Sequence, residues 1–297
     1  MKKTLAMMTA AMMVAGALAG CGSSSSTPAA TTAAATEAAT TAAATEAATT
    51  EAAGDTTAAA EGTVKTPSGK FTVGFDQEFP PMGFVGDDGE FTGFDLDLAK
   101  EVASRLGLEF VPQPINWDAK DMELESGNID CIWNGFTMQG REDAYTWVGP
   151  YMANNQVFVV NADSDIASKA DLAGKAVEVQ KDSSGLAALQ DDAELSASFG
   201  SMTEVADYNT ALMDLESGAC DAVCMDSIVA GYQIKSSGKD MKILDDTLSV
   251  EEYGIGFKKG EDELAKAVYD TLMEMKDDGT VAKISNDWFG SDVFTLK

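Results

Sequence analysis

The chain has 297 residues, a net charge of −29 at pH 7 and no histidine. Its acidity excludes nucleic acid as the expected partner, because phosphate groups attract the opposite charge. Without histidine it lacks every His-dependent catalytic triad and most kinds of zinc site, so we expect neither a metal nor a cofactor.

The first 20 residues have the pattern of a secretory signal peptide. A basic start at Lys2 and Lys3 precedes an apolar run over residues 5–18, which is too short to span a membrane as a mature helix. The sequence Leu-Ala-Gly-Cys that ends at Cys21 resembles the lipobox of bacterial lipoproteins. It implies cleavage after residue 20, a lipid on Cys21 and a protein anchored to the outer face of the cytoplasmic membrane, extracellular or periplasmic. An uncleaved anchor or a cytoplasmic apolar start is the alternative.

A segment of Ala, Thr, Ser and Glu follows, over residues 21–62. It lacks the apolar side chains that could offset the entropy lost on ordering, so we predict a disordered tether. The folded part then starts near Val64. About 235 residues remain, enough for two lobes with their own cores.

The first folded segment alternates strands and helices. A predicted strand over 70–75 is followed by a proline-stiffened loop over 76–82, a hairpin around Asp88 and a helix that ends at Gly107. We predict the next strand over 108–111. This order argues for an α/β lobe with parallel strands.

One phrase, Leu-Glu-Ser-Gly-x-x-Asp, occurs at 124–130 and again at 215–221. In each copy a helix is predicted to end at the glycine, Gly127 or Gly218, in the left-handed conformation, and a strand to follow the aspartate. Either copy alone is also what a common helix-to-strand connection looks like. The pair indicates two similar lobes.

Polar residues follow the two strands that these copies introduce. The strands are predicted over 131–133 and 222–225, with residues 134–137 beyond the first and Asp226 beyond the second. Open α/β sheets bind ligands at the carboxyl ends of their strands. Two such edges facing each other would form a cleft.

The second lobe repeats the plan of the first. We predict strands over 157–161, 176–180 and 198–202 and helices over 171–174 and 186–190. After the second copied unit come a predicted strand over 253–257, a helix over 261–278 and a short closing helix up to Gly290.

Three cysteines follow Cys21, and their spacing matches no paired metal site. Cys131 and Cys224 fall in apolar strands and are predicted to be buried. Spacing alone leaves open whether Cys220 and Cys224 form a disulfide.

Three segments resemble the polar amino acid binding proteins of ABC importers, the family 3 extracellular solute-binding proteins. They are residues 93–99 (Gly-Phe-Asp-Leu-Asp-Leu-Ala), 134–141 (Asn-Gly-Phe-Thr-Met-Gln-Gly-Arg) and 171–177 (Asp-Leu-Ala-Gly-Lys-Ala-Val). Together, in this order, they are more specific than any one of them. The resemblance implies an α/β fold of the periplasmic-binding-protein type, with two lobes joined by two crossing hinge strands.

The resemblance also implies where the lobes divide. The crossings would fall near residues 154–158 and 248–253. Lobe 1 would then comprise 63–153 plus 251–297, and lobe 2 would comprise 154–250.

The function implied is capture rather than chemistry. A monomer would hold a free polar amino acid between its lobes and deliver it to an ABC permease and its ATPase, and it would not be an enzyme. Two alternatives remain: an enzyme, since cyclohexadienyl dehydratases and some lytic transglycosylases resemble this fold, and a module that senses an amino acid for a receptor kinase. For an enzyme, Glu78 is the one candidate general acid.

A buried zwitterion needs a cationic fork for its carboxylate and an acid for its ammonium. Arg141 matches the family position that binds the carboxylate, although an arginine met without the resemblance is more often paired with a surface acid. Asp226 matches the family's acid for the ammonium. Asp76 is a second candidate acceptor, or a loop aspartate that caps a turn.

Further residues are assigned to the site by the same resemblance. Asn134, Gly135 and Thr137 follow the first copied strand, where the Thr137 side chain and the Gly135 backbone match ligand contacts. Ser184 matches a carboxylate donor at a helix start. Asp182 stands where the family usually has glycine, which weakens the assignment of Ser184.

Two aromatic residues and an amide complete the predicted site. Phe79 and Trp117 match rings that enclose the ligand side chain, and each lies in a loop rather than on an apolar stripe. Gln180 matches a residue that reads the side chain, and Glu78 is placed in the same pocket. A neutral glutamine there favours a polar, uncharged ligand.

Overall fold

The structure is a computed structural model, and it describes residue 66 and residues 68–297. The predicted signal peptide, the lipid-bearing Cys21, the tether and the start of the fold at Val64 lie outside the described residues. Within them, no helix is both long enough and apolar enough to cross a membrane.

Eleven strands form the sheets of the described chain. They are β1 (Lys70–Phe75), β2 (Glu78–Phe79), β3 (Gly83–Val85), β4 (Phe91–Thr92), β5 (Glu109–Pro114), β6 (Cys131–Thr137), β7 (Thr146–Asn161), β8 (Ala176–Gln180), β9 (Ser201–Val205), β10 (Ala222–Asp226) and β11 (Met241–Phe257).

Eight α-helices accompany these strands in the described chain, with 3-10 turns at Trp117–Ala119 and Lys169–Leu172. The helices are α1 (Phe94–Leu106), α2 (Lys120–Ser126), α3 (Ser184–Asp191), α4 (Ala193–Ser198), α5 (Tyr208–Ser217), α6 (Ser227–Ser237), α7 (Asp262–Asp277) and α8 (Thr280–Phe289).

One sheet of eight strands runs through the molecule in the order β5-β1-β6-β11-β7-β10-β8-β9. At one end β1 pairs in parallel with β5 and β6, and at the other β8 pairs in parallel with β9 and β10. Between them the long strands β7 and β11 pair antiparallel with each other. We call the β5-β1-β6 end with α1, α2, α7 and α8 the first lobe, and the β10-β8-β9 end with α3 to α6 the second lobe.

The repeated phrase gives the predicted structure in both lobes. Gly127 ends α2 with φ of 76°, and Gly218 ends α5 with φ of 79°. Each glycine donates its backbone N–H to helix carbonyls, as a left-handed cap does. A buried strand follows each cap, so the prediction of two similar units is confirmed.

Apolar faces fix these elements against the sheet. The inward side of α1, including Leu98 and Val102, packs against the fully buried Phe71 of β1. In the second lobe a separate cluster buries Phe158 and Leu189. These cores hold the strand ends that carry the polar residues described below.

Several predicted elements are confirmed. They are the strands over 70–75 and 176–180, the hairpin around Asp88, the helix that ends at Gly107 and the long helix over 261–278. Cys131 and Cys224 are buried as expected, and the three cysteines of the described residues, Cys220 included, are unpaired.

Two predicted strands were much too short. The strand predicted over 157–161 begins at Thr146, and the one predicted over 253–257 begins at Met241. Polar residues such as Asn154 interrupt the apolar pattern that marks a strand, whereas the β7–β11 ladder pairs their backbone groups.

Residues 134–137 lie inside β6 and not beyond it, so the strand predicted over 131–133 was also too short. Gly135 adopts φ of 56° there. The ladder with β11 shifts register between Gly254 and Gly256. A glycine within a strand is typical of such an irregularity.

Other boundaries were wrong. The strand predicted over 198–202 is β9 at Ser201–Val205, because Asp192 caps a helix, α4, over the preceding residues. Ser183 caps α3, which starts at Ser184 and not at Leu186. Smaller differences are a 3-10 turn at Lys169–Leu172, a strand β5 that runs on to Pro114, a two-residue strand β2 within the predicted loop, and the unpredicted α6.

Gly93 is a position where only glycine fits. It precedes α1 with φ of 146°, and a Cβ atom there would lie 2.3 Å from the Met82 carbonyl oxygen. We expect Gly93→Ala to lower the free energy of unfolding by about 3 kcal/mol, through backbone strain and steric overlap together.

The matched control is Gly107→Ala. Gly107 also has positive φ, but no other group of the described residues lies within 4 Å of its Cβ position, so backbone strain alone should cost about 1 kcal/mol. Urea unfolding of both variants measures the difference. Equal losses would show that the Met82 contact relaxes at little cost.

Candidate ligand-binding site

The predicted site residues converge where the two lobes meet. A small cavity, which we call the central cavity, measures about 10 Å³. Eight of the ten predicted residues line it together with Ser183: Phe79, Trp117, Gly135, Thr137, Arg141, Gln180, Ser184 and Asp226. The other two, Asp76 and Asn134, contact this set from behind.

Asp226 ends β10 as a buried acceptor. Its Oδ1 accepts from Asn154 Nδ2 at 2.6 Å and from the Tyr253 hydroxyl at 2.8 Å, and its Oδ2 accepts from the Tyr208 hydroxyl at 3.2 Å. Burial, and then the charge of Glu251, raise the pKa of Asp226 to about 7. The site thus holds an acid whose ionised form calls for a cation.

Asp76 links the two lobes. Its Oδ2 accepts from Gln180 Nε2 at 2.7 Å, and its Oδ1 accepts from the Glu78 backbone N–H at 2.9 Å. Asn134 holds the other side, since its Oδ1 accepts from the Asp76 N–H at 3.0 Å. Burial raises the pKa of Asp76 to about 6. Asp76 therefore both caps the turn at Glu78 and contacts Gln180 across the cleft.

Arg141 is held by carbonyl groups. Its guanidinium donates to the Thr137 carbonyl at 3.2 Å and to the Asp182 carbonyl at 3.4 Å, and it lies 5.1 Å from the centre of the Phe136 ring. Among residues 68–297, no carboxylate lies within 4.0 Å of it. The surface ion pair that was the alternative is therefore absent from this part of the chain.

Thr137 and Ser184 face each other from the two lobes. Their oxygens lie 3.2 Å apart, and both hydroxyls donate to Glu251 Oε2, at 2.9 Å and 3.3 Å. Ser184 is in the first turn of α3, whose start is capped by Ser183. The hydroxyls thus lie beside a helix N-terminus, where an anion is favoured.

Aromatic rings close the first-lobe side of the cavity. The ring centres of Phe79 and Tyr208 lie 5.8 Å apart. Trp117 packs edge-on against Phe136, with 5.5 Å between the ring centres. A Cβ on Gly135 would lie 2.9 Å from the Phe79 ring. Glycine there lets the strand pass close to the ring.

A further buried acid, Asp95, holds strand β6 at Gly135. Asp95, at the start of α1, accepts from the Gly135 N–H at 2.7 Å and from the Tyr151 hydroxyl at 2.8 Å. Complete burial raises the pKa of Asp95 to about 7. Because the Gly135 N–H is used here, only the Gly135 carbonyl is left to serve a ligand.

Glu78 does not line the central cavity. Its carboxylate pairs with Asn209 of the second lobe and borders a neighbouring groove. The contact spans the lobes at the mouth of the cleft.

An ion pair across the cleft was not predicted. Lys120 of α2 pairs with the carboxylate of Asp182, which follows β8, and its ammonium also lies 5.2 Å from the centre of the Trp117 ring. The Lys120 side chain is 2% exposed and that of Asp182 is 52% exposed. Asp182 has φ of 56°, a conformation that glycine adopts more readily than other residues.

Sequence reasoning also missed the residues that surround Asp226. They are Asn154, Gln156, Tyr208, Glu251 and Tyr253. A signal existed for four of them: Asn154 and Gln156 are two apart on one strand, and Glu251 and Tyr253 are two apart on another, so each pair shares a face. Lys120 gave no such signal, since its partner is 62 residues away.

No group of three or more potential metal ligands, Cys, Asp or Glu, comes together in residues 68–297.

The arrangement is that of a binding protein with a polar cleft between two α/β lobes. The sequence model described as bacterial extracellular solute-binding proteins, family 3, matches residues 71–291. The chain belongs to this family, as its motifs indicated.

Several relatives are similar over most of their length. The L-cystine-binding protein TcyJ of Escherichia coli K12 is 31% identical over 231 residues, which cover 76% of this chain and 84% of that protein. The L-cystine-binding protein TcyA of Bacillus subtilis is 32% identical over 229 residues, covering 76% and 83%.

Solved structures agree on the fold. An ABC uptake transporter substrate binding protein of Streptococcus pneumoniae, with bound histidine, superposes with a TM-score of 0.74 at 34% identity, covering 77% of this chain and 96% of that one. A mutant of ArgBP from T. maritima gives 0.68 at 33% identity, covering 75% and 96%. The prediction of a two-lobed α/β fold of the periplasmic-binding-protein type is confirmed.

The Lys120–Asp182 pair predicts an asymmetric response to mutation. Asp182→Asn keeps a residue that tolerates positive φ but leaves the buried Lys120 ammonium without its carboxylate, which should cost about 3 to 5 kcal/mol of unfolding free energy. Lys120→Met removes the buried charge itself, and the half-exposed Asp182 can be hydrated, so we expect a smaller loss.

Thermal and urea unfolding of the two variants measure these losses. The control is Lys181→Met, since the Lys181–Asp118 pair also spans the cleft but is 57% and 40% exposed and should contribute about 0 to 1 kcal/mol. A loss in Lys120→Met that equals or exceeds the loss in Asp182→Asn would contradict this account.

Proposed function

We propose that the protein captures a free polar amino acid in the central cavity, with the ligand carboxylate on Arg141 and its ammonium on Asp226. One observation supports this most: among residues 68–297, a cationic fork without a carboxylate partner and a buried acid without a cation line the same cavity. A zwitterion satisfies both at once.

Capture requires the lobes to move. The central cavity of about 10 Å³ is far smaller than ligand pockets of roughly 300 Å³ or more, and Gln180 donates to Asp76 across the cleft. The lobes must therefore separate to admit a ligand. The crossings of β7 and β11, near residues 154–158 and 248–253, are the proposed hinges. They would divide the chain into lobe 1 (63–153 plus 251–297) and lobe 2 (154–250). A ligand that contacts both lobes favours closure because the open form makes only part of those contacts.

The proposed pocket places Phe79 and Trp117 beside the ligand side chain, with Gln180 and Asp76 at its polar end. Thr137, Ser184 and the backbone around Asn134 and Gly135 complete it. TcyJ and TcyA are named as L-cystine-binding proteins, the Streptococcus pneumoniae protein holds bound histidine, and ArgBP has an arginine-bound form. Cystine, histidine and arginine are therefore the first ligands to test.

Delivery to an ABC permease and its ATPase is the proposed next step, supported by the transporter named for the Streptococcus pneumoniae protein. A lipid on Cys21 and a tether over 21–62 would keep a monomer at the outer face of the membrane. Capture without chemistry fits the relatives, which are named as binding proteins.

A thermal-shift screen tests the function. The protein is heated with each of the twenty amino acids and with cystine. A ligand that binds only the folded state raises the melting temperature by mass action, and we expect a clear rise with one or a few polar amino acids, each recovered unchanged. No rise with any of them would contradict amino acid capture, and a converted product would favour the enzyme.

Arg141→Ala should weaken binding of the amino acid found in that screen by about 3 to 5 kcal/mol, since it strands a carboxylate in a closed site. Arg105 is the matched control, because it is the other arginine of the sequence and pairs with Glu101 and Asp278 at the surface. Isothermal titration measures both variants. Binding by Arg141→Ala as tight as by Arg105→Ala would remove Arg141 from the site.

A further inference from the structure

Two buried carboxylates lie side by side behind the central cavity. Asn154 Nδ2 donates to Asp226 Oδ1 at 2.6 Å and to Glu251 Oε2 at 3.1 Å. The amide is held this way round, because Asn154 Oδ1 accepts from the Ile228 backbone N–H, which can only donate, at 3.5 Å, and from the Ser227 hydroxyl at 3.1 Å. One amide nitrogen therefore joins the two acids.

Neutral groups surround this pair. Glu251 is 3% exposed, and its hydrogen bonds come from the side chains of Thr137, Asn154, Gln156, Ser184 and Ser249. No Lys or Arg of residues 68–297 lies within 4.0 Å of either carboxylate. Two adjacent buried charges of the same sign lack a cation in this part of the chain.

Like charges so placed favour a state in which the pair holds one proton. The raised pKa of Asp226, about 7, agrees with this, since burial and then the charge of Glu251 cause it. The other titratable groups that face the pair are Tyr208 on α5, Tyr253 on β11 and Cys224 on β10. Burial raises the pKa of each well above its ordinary value, so they stay neutral near pH 7.

We propose that Glu251 is a positioning residue for the ligand ammonium: through Asn154 it makes Asp226 half of a carboxylate pair that, below about pH 7, holds one proton without ligand and releases it on capture. This rests on the proposed function, which supplies the ammonium. The exchange is balanced, because the ammonium keeps its own protons and one proton passes from the pair to solvent. Glu251 does not line the central cavity, so it acts through Asn154 and Asp226.

The sign of the pH dependence follows from the exchange. Below pH 7 the pair is protonated and binding must expel the proton, so affinity falls by up to about tenfold per pH unit as the pH drops. Above pH 7 the pair is ionised and affinity is constant. Removing the charge of Glu251 should move this fall to lower pH.

The free protein gives a test that needs no ligand. Carbon-13 NMR follows the aspartate carboxyl signals from pH 4 to 9 in wild type and in Glu251→Gln, with Asp226→Asn to assign the signal of Asp226. Glu252→Gln is the matched control, because Glu252 is the exposed neighbour of Glu251 on β11.

We expect Asp226 to titrate near pH 7 in wild type and in Glu252→Gln, and clearly lower in Glu251→Gln. An Asp226 signal that titrates at the ordinary pH of an aspartate in wild type would overturn the proposal, even if Glu251→Gln failed to fold. An unchanged midpoint in a folded Glu251→Gln would overturn it as well.

Binding is then measured with L-cystine and L-arginine as probes. The dependence of the calorimetric enthalpy on the ionisation enthalpy of the buffer gives the number of protons released. We expect nearly one at pH 6 and none at pH 8.5 in wild type and Glu252→Gln, and well under half of one at pH 6 in Glu251→Gln.

The two arms separate the two proposals. Binding without proton release at pH 6 in wild type, or equal release in Glu251→Gln, overturns the role of Glu251 and leaves capture standing. Failure of both probes to bind, with the NMR result as expected, counts against capture of these ligands and supports the carboxylate pair.

Discussion

The antiparallel pairing of β7 with β11 is the constraint on which the rest of the structure depends. These strands lie between the parallel strands of the two lobes and belong to the same eight-stranded sheet. They also carry Asn154, Gln156, Glu251 and Tyr253, which surround Asp226 at the end of β10. The same backbone ladder therefore joins the lobes and organises the acid end of the cleft.

Charge rather than apolar area sets the character of the cleft. Asp76, Asp226 and Glu251 are buried at its centre, whereas Arg141 contacts carbonyls and Lys120 is matched by Asp182. Buried acids without cations are costly, so this centre is stabilised when a ligand brings positive charge. The contacts across the cleft, such as Gln180 with Asp76, close the walls around that charge.

The sequence predicted the parts of the fold that local chemistry determines. Gly127 and Gly218 end helices because a left-handed cap favours glycine, and their neighbours repeat because the lobes do. The lengths of β7 and β11 were missed, since their polar residues are buried by partners far along the chain. The helix α4 was missed because its cap, Asp192, lies in a polar stretch that also suits a loop.

The candidate site divides in the same way. The ten residues assigned by resemblance come together, which composition and spacing alone would not have shown. Lys120 was missed because its partner, Asp182, lies in the other lobe. Glu251 was missed because its partner Asn154 lies on the opposite strand, although the periodicity of a strand could have placed Glu251 on the same face as Tyr253. The departure at Asp182 was visible in the sequence, but its pairing with Lys120 required the structure.

A crystal structure of the protein with the amino acid that raises its melting temperature most tests the central claim directly. The account predicts one amino acid in the central cavity, with its carboxylate in hydrogen-bond contact with Arg141 and its ammonium in contact with Asp226. An ordered ligand bound elsewhere, or bound in the cleft with its ammonium away from Asp226, would contradict it.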